Sequence, residues 1–129
     1  MSLILTPLHK AVSSLALALA QPKDEFIRDA VIQRFEYTYE LCWKMMRRRL
    51  IADHGESAVS LLSRRELFRM AADYQLITDS VSWMLYHKAR NETSHLYDES
   101  KAEEVFLIAS EFLPDARLLQ AQLDARNED

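Results

Sequence analysis

The sequence is poor in the residues that break regular structure. It has one glycine, Gly55, and three prolines in 129 residues, and so few breakers favour long helices over a turn-rich β fold. It has one cysteine, Cys42, which excludes a disulfide framework and is typical of a protein in a reducing cytoplasm. No apolar stretch is long enough to span a bilayer. The sequence therefore predicts a helical cytoplasmic protein with no membrane-spanning segment.

The N-terminal segment, from about Leu3 to Ala20, is apolar enough to resemble a signal peptide. It carries Pro7, His9 and Lys10 within it, and it lacks a basic lead and a clean cleavage site. These features favour a helix of the mature protein. We therefore expect residues 1–129 to form a single domain, which is long enough to bury a core.

The formal net charge is −4, which argues against a nonspecific nucleic-acid binder. Positive charge is concentrated in two clusters, residues 44–49 and residues 64–69. The first contains Lys44, Arg47, Arg48 and Arg49, and the second contains Arg64, Arg65 and Arg69. We interpret both clusters as solvated helix faces.

Apolar periodicity and capping residues predict five helical segments. The second runs from an N-cap at Asp24 to about Asp53, where Gly55 suits a left-handed C-terminal position. Ser63 and Glu66 form a capping box for the third. The first helix is predicted over Leu3–Ala20, and residues 57–62 form a connection. A fourth helix begins with an N-cap at Thr78 or Asp79 and ends near Arg90. A fifth helix begins at 98–100 and is kinked or interrupted at Pro114. The predicted fold class is an all-α, up-and-down bundle of four to five helices.

The long second helix has apolar and aromatic residues over more than one face, including Tyr37, Tyr39, Trp43 and Met45. In a monomeric bundle part of that surface would face water, and such patches usually mark an interface. The sequence therefore predicts a two-fold homodimer.

The segment Arg90-Asn91-Glu92-Thr93-Ser94-His95-Leu96-Tyr97 concentrates the candidate chemistry. Arginine is a permanent cation with a planar donor fork that suits phosphate, and histidine exchanges a proton near neutral pH. Together they provide what a metal-free phosphodiester cleavage needs. The spacing alone is weak, because Arg49 and His54 also stand five apart. Since no glycine-rich phosphate loop and no metal-ligand spacing is present, we predict neither a metal nor a cofactor.

In a continuous helix, positions five apart are rotated by roughly 140°, so Arg90 and His95 would not share a face. Asn91, Thr93 and Ser94 favour a turn between them. Alternatively, two copies of the segment meet across a dimer and form a composite site. A third interpretation is purely structural, with Arg90 and His95 bound to helix carbonyls and nearby acids. His87 and His54 are interpreted as structural or surface residues, and Tyr37, Tyr39 and Trp43 as core or interface.

At these residues the chain resembles the HEPN superfamily, and more closely its branch of nucleotidyltransferase substrate-binding subunits. The resemblance covers about Arg28 to Phe106. It is carried by Ile32-Gln33-Arg34-Phe35-Glu36-Tyr37, Glu40-Leu41, Trp43-Lys44, Trp83, Arg90-Asn91, Ser94-His95 and Tyr97-Asp98. Proteins of this family are small helical bundles that usually dimerise and are encoded beside a minimal nucleotidyltransferase (MNT).

The resemblance also implies roles for individual residues. Many HEPN proteins are metal-independent ribonucleases, which makes Arg90 and His95 the expected catalytic residues and Asn91 their polar support. In toxin–antitoxin members the MNT adenylylates the tyrosine of the motif, here Tyr97, and silences the nuclease. The expected function is thus an RNA-cleaving toxin. The rival is a non-catalytic subunit that binds substrate for, or docks, a nucleotidyltransferase through Arg90 and Asn91.

Overall fold

The computed structural model describes residues 2–127, and within them regular structure is entirely helical. Five longer helices and one single-turn helix follow one another along this part of the chain. They are α1 (Thr6–Leu19), α2 (Glu25–His54), α3 (Glu56–Val59), α4 (Arg64–Asp73), α5 (Ser80–Asn91) and α6 (Glu99–Arg126), with a 3₁₀ turn at Glu92–His95 between α5 and α6. The predicted all-α bundle is confirmed.

Side chains predicted to cap the helices do so. Asp24 accepts a hydrogen bond from the backbone N–H of Ile27 at the start of α2. Ser63 and Glu66 form the reciprocal capping box of α4. Asp79, rather than Thr78, caps α5 through the N–H of Ser82. Each cap satisfies backbone donors that have no partner inside the helix.

Four local predictions need correction. Helix α1 begins at Thr6, with Pro7 in its first turn, where a missing N–H costs nothing. The predicted connection over 57–62 includes the short helix α3. Pro114 does not interrupt α6. Gly55 has the predicted positive φ of 91°, but its ψ of 154° lies outside the left-handed helical region.

Helix α2 packs most extensively with α1 and α6, and named contacts fix the helix directions. Arg28 near the start of α2 pairs with Glu99 near the start of α6, so these two helices run parallel. The amide of Asn127 bonds the backbone N–H and carbonyl of Leu3 at 2.7 and 3.0 Å. Because this joins the end of α6 to the start of the chain, α1 runs antiparallel to α6.

The core is a cluster of aromatic side chains between α2, α5 and α6. Phe112 of α6 lies at the centre, with ring centroids 5.1 Å from Phe35, 5.6 Å from Trp83 and 5.1 Å from Tyr86. Tyr39 of α2 packs against the same group. Edge-to-face packing of this kind stabilises a core beyond simple area burial, and it anchors the N-terminal half of α5. None of the helices within residues 2–127 is long and apolar enough to cross a membrane.

The basic cluster at residues 44–49 is not one solvated face. Lys44 and Arg48 are exposed, but Arg49 is 4% exposed and its guanidinium lies 2.9 Å from the carboxylate of Asp53. Helical positions 44, 47, 48 and 49 point in different directions, so the cluster is divided between core and surface. Arg47 lies between these extremes and lines a cleft described below.

The surface predicted for dimerisation is also largely covered within the monomer. Tyr39 is fully buried and Met45 is 5% exposed, while the ring of Trp43 is covered by the guanidinium of Arg64. Tyr37 is 40% exposed, and its hydroxyl is hydrogen-bonded to that of Ser14. Helices α1, α4 and α6 of the same chain therefore cover much of the α2 surface that was predicted to form the dimer interface.

Candidate functional site

The residues of the Arg90–Tyr97 segment lie together at one end of the bundle. Arg90 and Asn91 occupy the last turn of α5, His95 ends the 3₁₀ turn, and Tyr97 lies just before α6. The turn predicted between the arginine and the histidine is confirmed by the 3₁₀ geometry of Glu92–His95. Asp98 then caps α6 through the N–H of Ser100.

Arg90 is held by two carboxylates of α2. Its Nε lies 3.3 Å from Oε1 of Glu40, and its Nη1 lies 3.9 Å from Oε2 of Glu36. The Nε atom is buried, and its approach to Glu40 is an ion pair without hydrogen-bond alignment. The side chain as a whole is one-third exposed. The arginine is thus fixed in direction while part of its donor fork remains accessible.

The 3₁₀ turn is joined to the same carboxylates. The hydroxyl of Thr93 lies 2.8 Å from the backbone carbonyl of Arg90 and 3.1 Å from Oε2 of Glu36, and it has one hydrogen to share between them. Short polar side chains that bond nearby carbonyls favour such a helix end. Glu36 therefore links the guanidinium of Arg90 to the turn that carries His95.

His95 and Tyr97 are both exposed, and Tyr97 is 86% accessible. Their ring centroids are 6.2 Å apart in an edge-to-face arrangement. Among the contacts of residues 2–127, none joins His95 to Arg90 or Asn91. The chain therefore brings the four residues to one end of the molecule and leaves the histidine and the arginine separate.

A second polar cluster adjoins Asn91. The sequence predicts structural, surface or core positions for its members His87 and Tyr39 and a solvated helix face for Arg64, which is instead half-buried. The Nη1 of Arg64 donates to the hydroxyl of Tyr39 at 2.9 Å, and that hydroxyl lies 2.8 Å from Nδ1 of His87. The Nε2 of His87 is 3.4 Å from the side-chain amide of Asn91. Burial raises the pKa of Tyr39 to about 12, so the phenol keeps its proton at neutral pH.

These contacts define the proton positions. The Nη1 donor of Arg64 lies 2.9 Å from the oxygen of Tyr39 and 3.5 Å from Nδ1 of His87, so we assign Nδ1 as the acceptor of the Tyr39 hydroxyl. Neutral His87 then carries its proton on Nε2, which lies 3.4 Å from Nδ2 of the Asn91 side-chain amide. Turning that amide by 180° would bring Oδ1 to Nε2, where it would accept the ring N–H. His87 is therefore in contact with the residue that follows Arg90. The sequence signal for it was its position on the same face of α5, four residues before Asn91.

The environment of His87 predicts a pH effect on stability. Burial lowers the pKa of His87 below the ordinary 6.5, and the positive charge of Arg64 lowers it further. The negative charge of Glu40 partly opposes this change in pKa, and the positive charge of Arg90 adds to it. The unfolded chain therefore binds a proton more readily than the folded one between pH 6.5 and the lowered value. The contribution of His87 to stability is present above pH 6.5 and is lost as pH falls through this window.

Urea denaturation from pH 7.5 to 5 tests this effect. We expect the free energy of unfolding of the wild type to fall more steeply with decreasing pH than that of His87→Gln, which has no group to titrate there. The other histidines are present in both proteins, so the difference between the two curves reports His87. Parallel curves would contradict the assignment.

Comparisons with known proteins identify the class of this bundle. The sequence matches the family described as "Nucleotidyltransferase substrate binding protein like" over residues 3–125. The chain belongs to this family, which confirms the resemblance to the HEPN superfamily and its substrate-binding branch.

Individual relatives agree with that membership. A Haemophilus influenzae protein named "Probable ribonuclease HepT" is 38% identical over 98 residues, covering 75% of this chain and 67% of that protein. A solved Haemophilus influenzae structure, described as the fold of a substrate binding domain of a nucleotidyltransferase, superposes with a TM-score of 0.87 at 31% identity, covering 94% of this chain and 99% of that one. A Thermus thermophilus crystal structure matches with a TM-score of 0.70 at 30% identity, covering 92% and 97% of the two chains.

Proposed function

We propose that this protein is a HEPN-type, metal-independent endoribonuclease and the toxin of a toxin–antitoxin pair in the cytoplasm. The observation that carries the proposal is the clustering of Arg90, Asn91, His95 and Tyr97 at one accessible end of the bundle. A relative that bears the name of a probable ribonuclease supports it. The residue types supply a fixed cation and a proton-transfer group, which is the minimum for cleaving a phosphodiester next to a ribose hydroxyl.

The proposed reaction uses the RNA's own nucleophile. His95 accepts the proton of the ribose 2′-hydroxyl, and the 2′ oxygen attacks the adjacent phosphorus. The bond from phosphorus to the 5′ oxygen breaks, and that oxygen leaves with a proton supplied by protonated His95 or by water. The products are a 2′,3′-cyclic phosphate and a 5′-hydroxyl. Arg90 stabilises the extra negative charge on the phosphorane, and Asn91 supports it with its amide N–H.

Arg90 must exchange partners for this step. In the free protein its charge is balanced by Glu36 and Glu40, and the half-exposed positions of these carboxylates make the pairs weak. A phosphate oxygen approaching the accessible side of the guanidinium replaces an interaction of that kind with a charge-assisted hydrogen bond. The two glutamates therefore position the arginine without blocking its use.

We further propose that the working form is a homodimer whose site is composite. Within one chain the histidine and the arginine are separate, so a second copy placed at this end would supply the missing proximity. Leu85 of α5 and Leu107 of α6 are 49% and 60% exposed beside a groove edged by Lys88, Lys101 and Glu104. An apolar surface with charges of both signs at its rim is suited to self-association.

Light scattering at tens of micromolar protein should give twice the mass of one chain. A monomeric mass would contradict the proposal of a composite site.

A partner nucleotidyltransferase completes the proposal. It would transfer AMP from ATP to the hydroxyl of Tyr97, forming a bond between the phenolic oxygen and the α phosphorus and releasing pyrophosphate. The family description and the high exposure of Tyr97 support this step. The nuclease would be silent while the adduct is present.

A non-catalytic role remains the second candidate, and one observation favours it. Arg90 is already paired with two carboxylates in the free protein, as expected of a residue that organises a docking surface. In that role the protein would bind the substrate or the nucleotide of a partner nucleotidyltransferase, in keeping with the description of the matched Haemophilus influenzae structure.

One assay separates the two candidates. Purified protein is incubated with single-stranded RNA in an excess of EDTA, and the products are examined for 2′,3′-cyclic phosphate ends. The nuclease proposal expects cleavage in EDTA and none of the same sequence as DNA, which lacks the 2′-hydroxyl. Intact RNA from a protein that still binds the nucleotidyltransferase would favour the docking role.

A further inference from the structure

A cleft beside the Arg90 end is lined by two arginines that have no acidic partner among residues 2–127. The cleft, here called the Arg64 cleft, lies between α2, α4 and α5 and has a volume of about 370 Å³. Its polar lining consists of Trp43, Arg47, Ser63, Arg64 and His87, and its remaining wall is apolar. None of the residues that line it is an aspartate or a glutamate. In a chain of net charge −4, such a lining is a local excess of positive charge.

Arg64 is held firmly in this cleft. Its guanidinium carbon lies 3.6 Å from the centre of the Trp43 ring, and its Nη1 donates to the hydroxyl of Tyr39 at 2.9 Å. Stacking on tryptophan and a hydrogen bond from one arm fix the plane of the donor fork before any ligand arrives. Preorganisation of this kind reduces the entropy lost on binding.

The remaining donors of the two arginines are available. Arg28, Arg49 and Arg90 each pair with a carboxylate. Within residues 2–127, by contrast, neither Arg47 nor Arg64 lies within ion-pair distance of one. Both side chains are half-buried, so they are less hydrated than free surface arginines. An anion is the partner that this lining lacks.

The cleft shares a wall with the Arg90 end. His87 lines the cleft, and its Nε2 lies 3.4 Å from the side-chain amide of Asn91, one helical turn further along α5. A polymer with a phosphate at Arg90 therefore passes directly by the Arg64 cleft. Arg64 occupies one face of Trp43, so that face is closed to a base, and the cleft offers positive charge to a backbone phosphate.

We propose that the Arg64 cleft binds a backbone phosphate of single-stranded RNA next to the phosphodiester held at Arg90. This inference rests on the proposed ribonuclease function and extends it from the reacting bond to the substrate chain. Arg64 supplies two donors in a fixed plane to the phosphate oxygens, and Arg47 supplies a second positive charge. The cleft thereby sets the direction in which the RNA crosses the α5 end of the molecule.

Binding of an RNA that has no free 2′-hydroxyl tests the cleft separately from cleavage. Fluorescence anisotropy of a labelled 2′-O-methyl oligonucleotide reports affinity without reaction. We expect Arg64→Ala and Arg47→Ala each to weaken binding by about five- to tenfold at low salt, as for the loss of one charge-assisted contact. Each should also reduce the slope of log Kd against log salt concentration by about 0.7. Arg64→Lys, which keeps the charge but loses the stacked plane, should lie between wild type and Arg64→Ala.

Matched controls come from the same helices. Arg48 and Arg65 are exposed neighbours of Arg47 and Arg64 and do not line the cleft, so Arg48→Ala and Arg65→Ala should change the Kd by less than about twofold. Equal losses in all four alanine variants would show diffuse attraction to the surface and would overturn the cleft assignment. Arg47 has no hydrogen-bond or ion-pair partner among the residues that the structure describes, so Arg47→Ala keeps the test valid if Arg64→Ala disturbs α4.

The cleavage assay separates failure of this inference from failure of the proposed function. Relative to the wild type, Arg64→Ala should have a higher KM and a kcat that differs by less than about threefold. This is the pattern expected when a mutation removes uniform binding at a site away from the reacting bond. Cleavage with an unchanged KM and Kd would leave the ribonuclease function standing and overturn the cleft. Binding that depends on Arg64 without cleavage would support the cleft and remove the nuclease. If the wild type does not bind the oligonucleotide, the inference is wrong.

Discussion

Replacing Arg90 or His95 by alanine is expected to abolish RNA cleavage and toxicity while leaving the helical fold intact. Loss of a donor that stabilises transition-state charge typically costs about 10²–10³ in rate, and loss of a general base about 10²–10⁴. The ion pairs of Arg90 with Glu36 and Glu40 are partly exposed, so their loss should cost only about 0–1 kcal/mol of stability. Initial rates on a defined RNA, growth after induction and far-ultraviolet circular dichroism measure the three expectations.

The control variants for this experiment are chosen at residues whose replacement should not disturb the core. Arg49 and His54 repeat the five-residue spacing, but Arg49 is buried and paired with Asp53, so its replacement would confuse stability with activity. His54 lies at the end of α2 and stacks on Tyr74, and Arg48 is exposed. His54→Ala and Arg48→Ala should therefore retain wild-type cleavage. If they lose activity to the same extent as the Arg90 and His95 variants, the Arg90–Tyr97 segment is not the site.

Local signals in the sequence determined the helices well. Asp24, Ser63 and Asp79 each cap a helix where the pattern predicts one, because an N-cap depends only on residues within one turn. The turn after Arg90 was predictable for the same reason. The alternative that Pro114 interrupts its helix is wrong, because the effect of a proline depends on how firmly the surrounding helix is held. Buried residues on both sides of it, Phe112 and Ala116, hold α6 in the core.

The environment of the candidate site was not predictable in the same way. Arg90 pairs with Glu36 and Glu40 of α2, which lie about fifty positions earlier in the chain, and His87 meets Tyr39 over 48 positions. Such contacts depend on how α5 is placed against α2, which helical periodicity alone does not determine. Resemblance to a family identified the motif residues but did not reveal His87 or Arg64. Their polar network became visible only when three helices were brought together.

The partners of the apolar α2 surface were also not predictable from helical periodicity. Its several apolar faces predicted a dimer interface, yet Tyr39 and Met45 are buried by neighbouring helices of the same chain. A long helix in a bundle has partners on more than one side, and periodicity does not tell an internal partner from a second copy. The proposal of a dimer therefore depends on the exposed leucines of α5 and α6 rather than on α2.

Coexpression with the partner nucleotidyltransferase is expected to add AMP to Tyr97 and to suppress RNA cleavage to background. Tyr97 is 86% exposed and lies beside His95, so an enzyme can reach its hydroxyl. The phosphodiester of the adduct would place a negative charge at the end of the bundle that carries Arg90 and His95, where it would compete for the guanidinium and repel RNA. Intact-mass spectrometry should show one or more AMP increments, and peptide mapping should place the first on Tyr97.

Two tyrosine variants, Tyr97→Phe and Tyr74→Phe, test whether Tyr97 is the acceptor. Tyr97→Phe should keep nuclease activity but resist silencing by the nucleotidyltransferase, because the ring remains and only the acceptor oxygen is removed. Tyr74 is 47% exposed and is a competing acceptor, so the Tyr74→Phe variant should still be silenced if Tyr97 is the site. Tyr86 is 4% exposed and bonded to Asp115, which makes it inaccessible in the folded protein. An adduct mapped to Tyr74, or silencing that persists in Tyr97→Phe without any added mass, would show that the partner acts by another route, such as covering Arg90 and His95 directly.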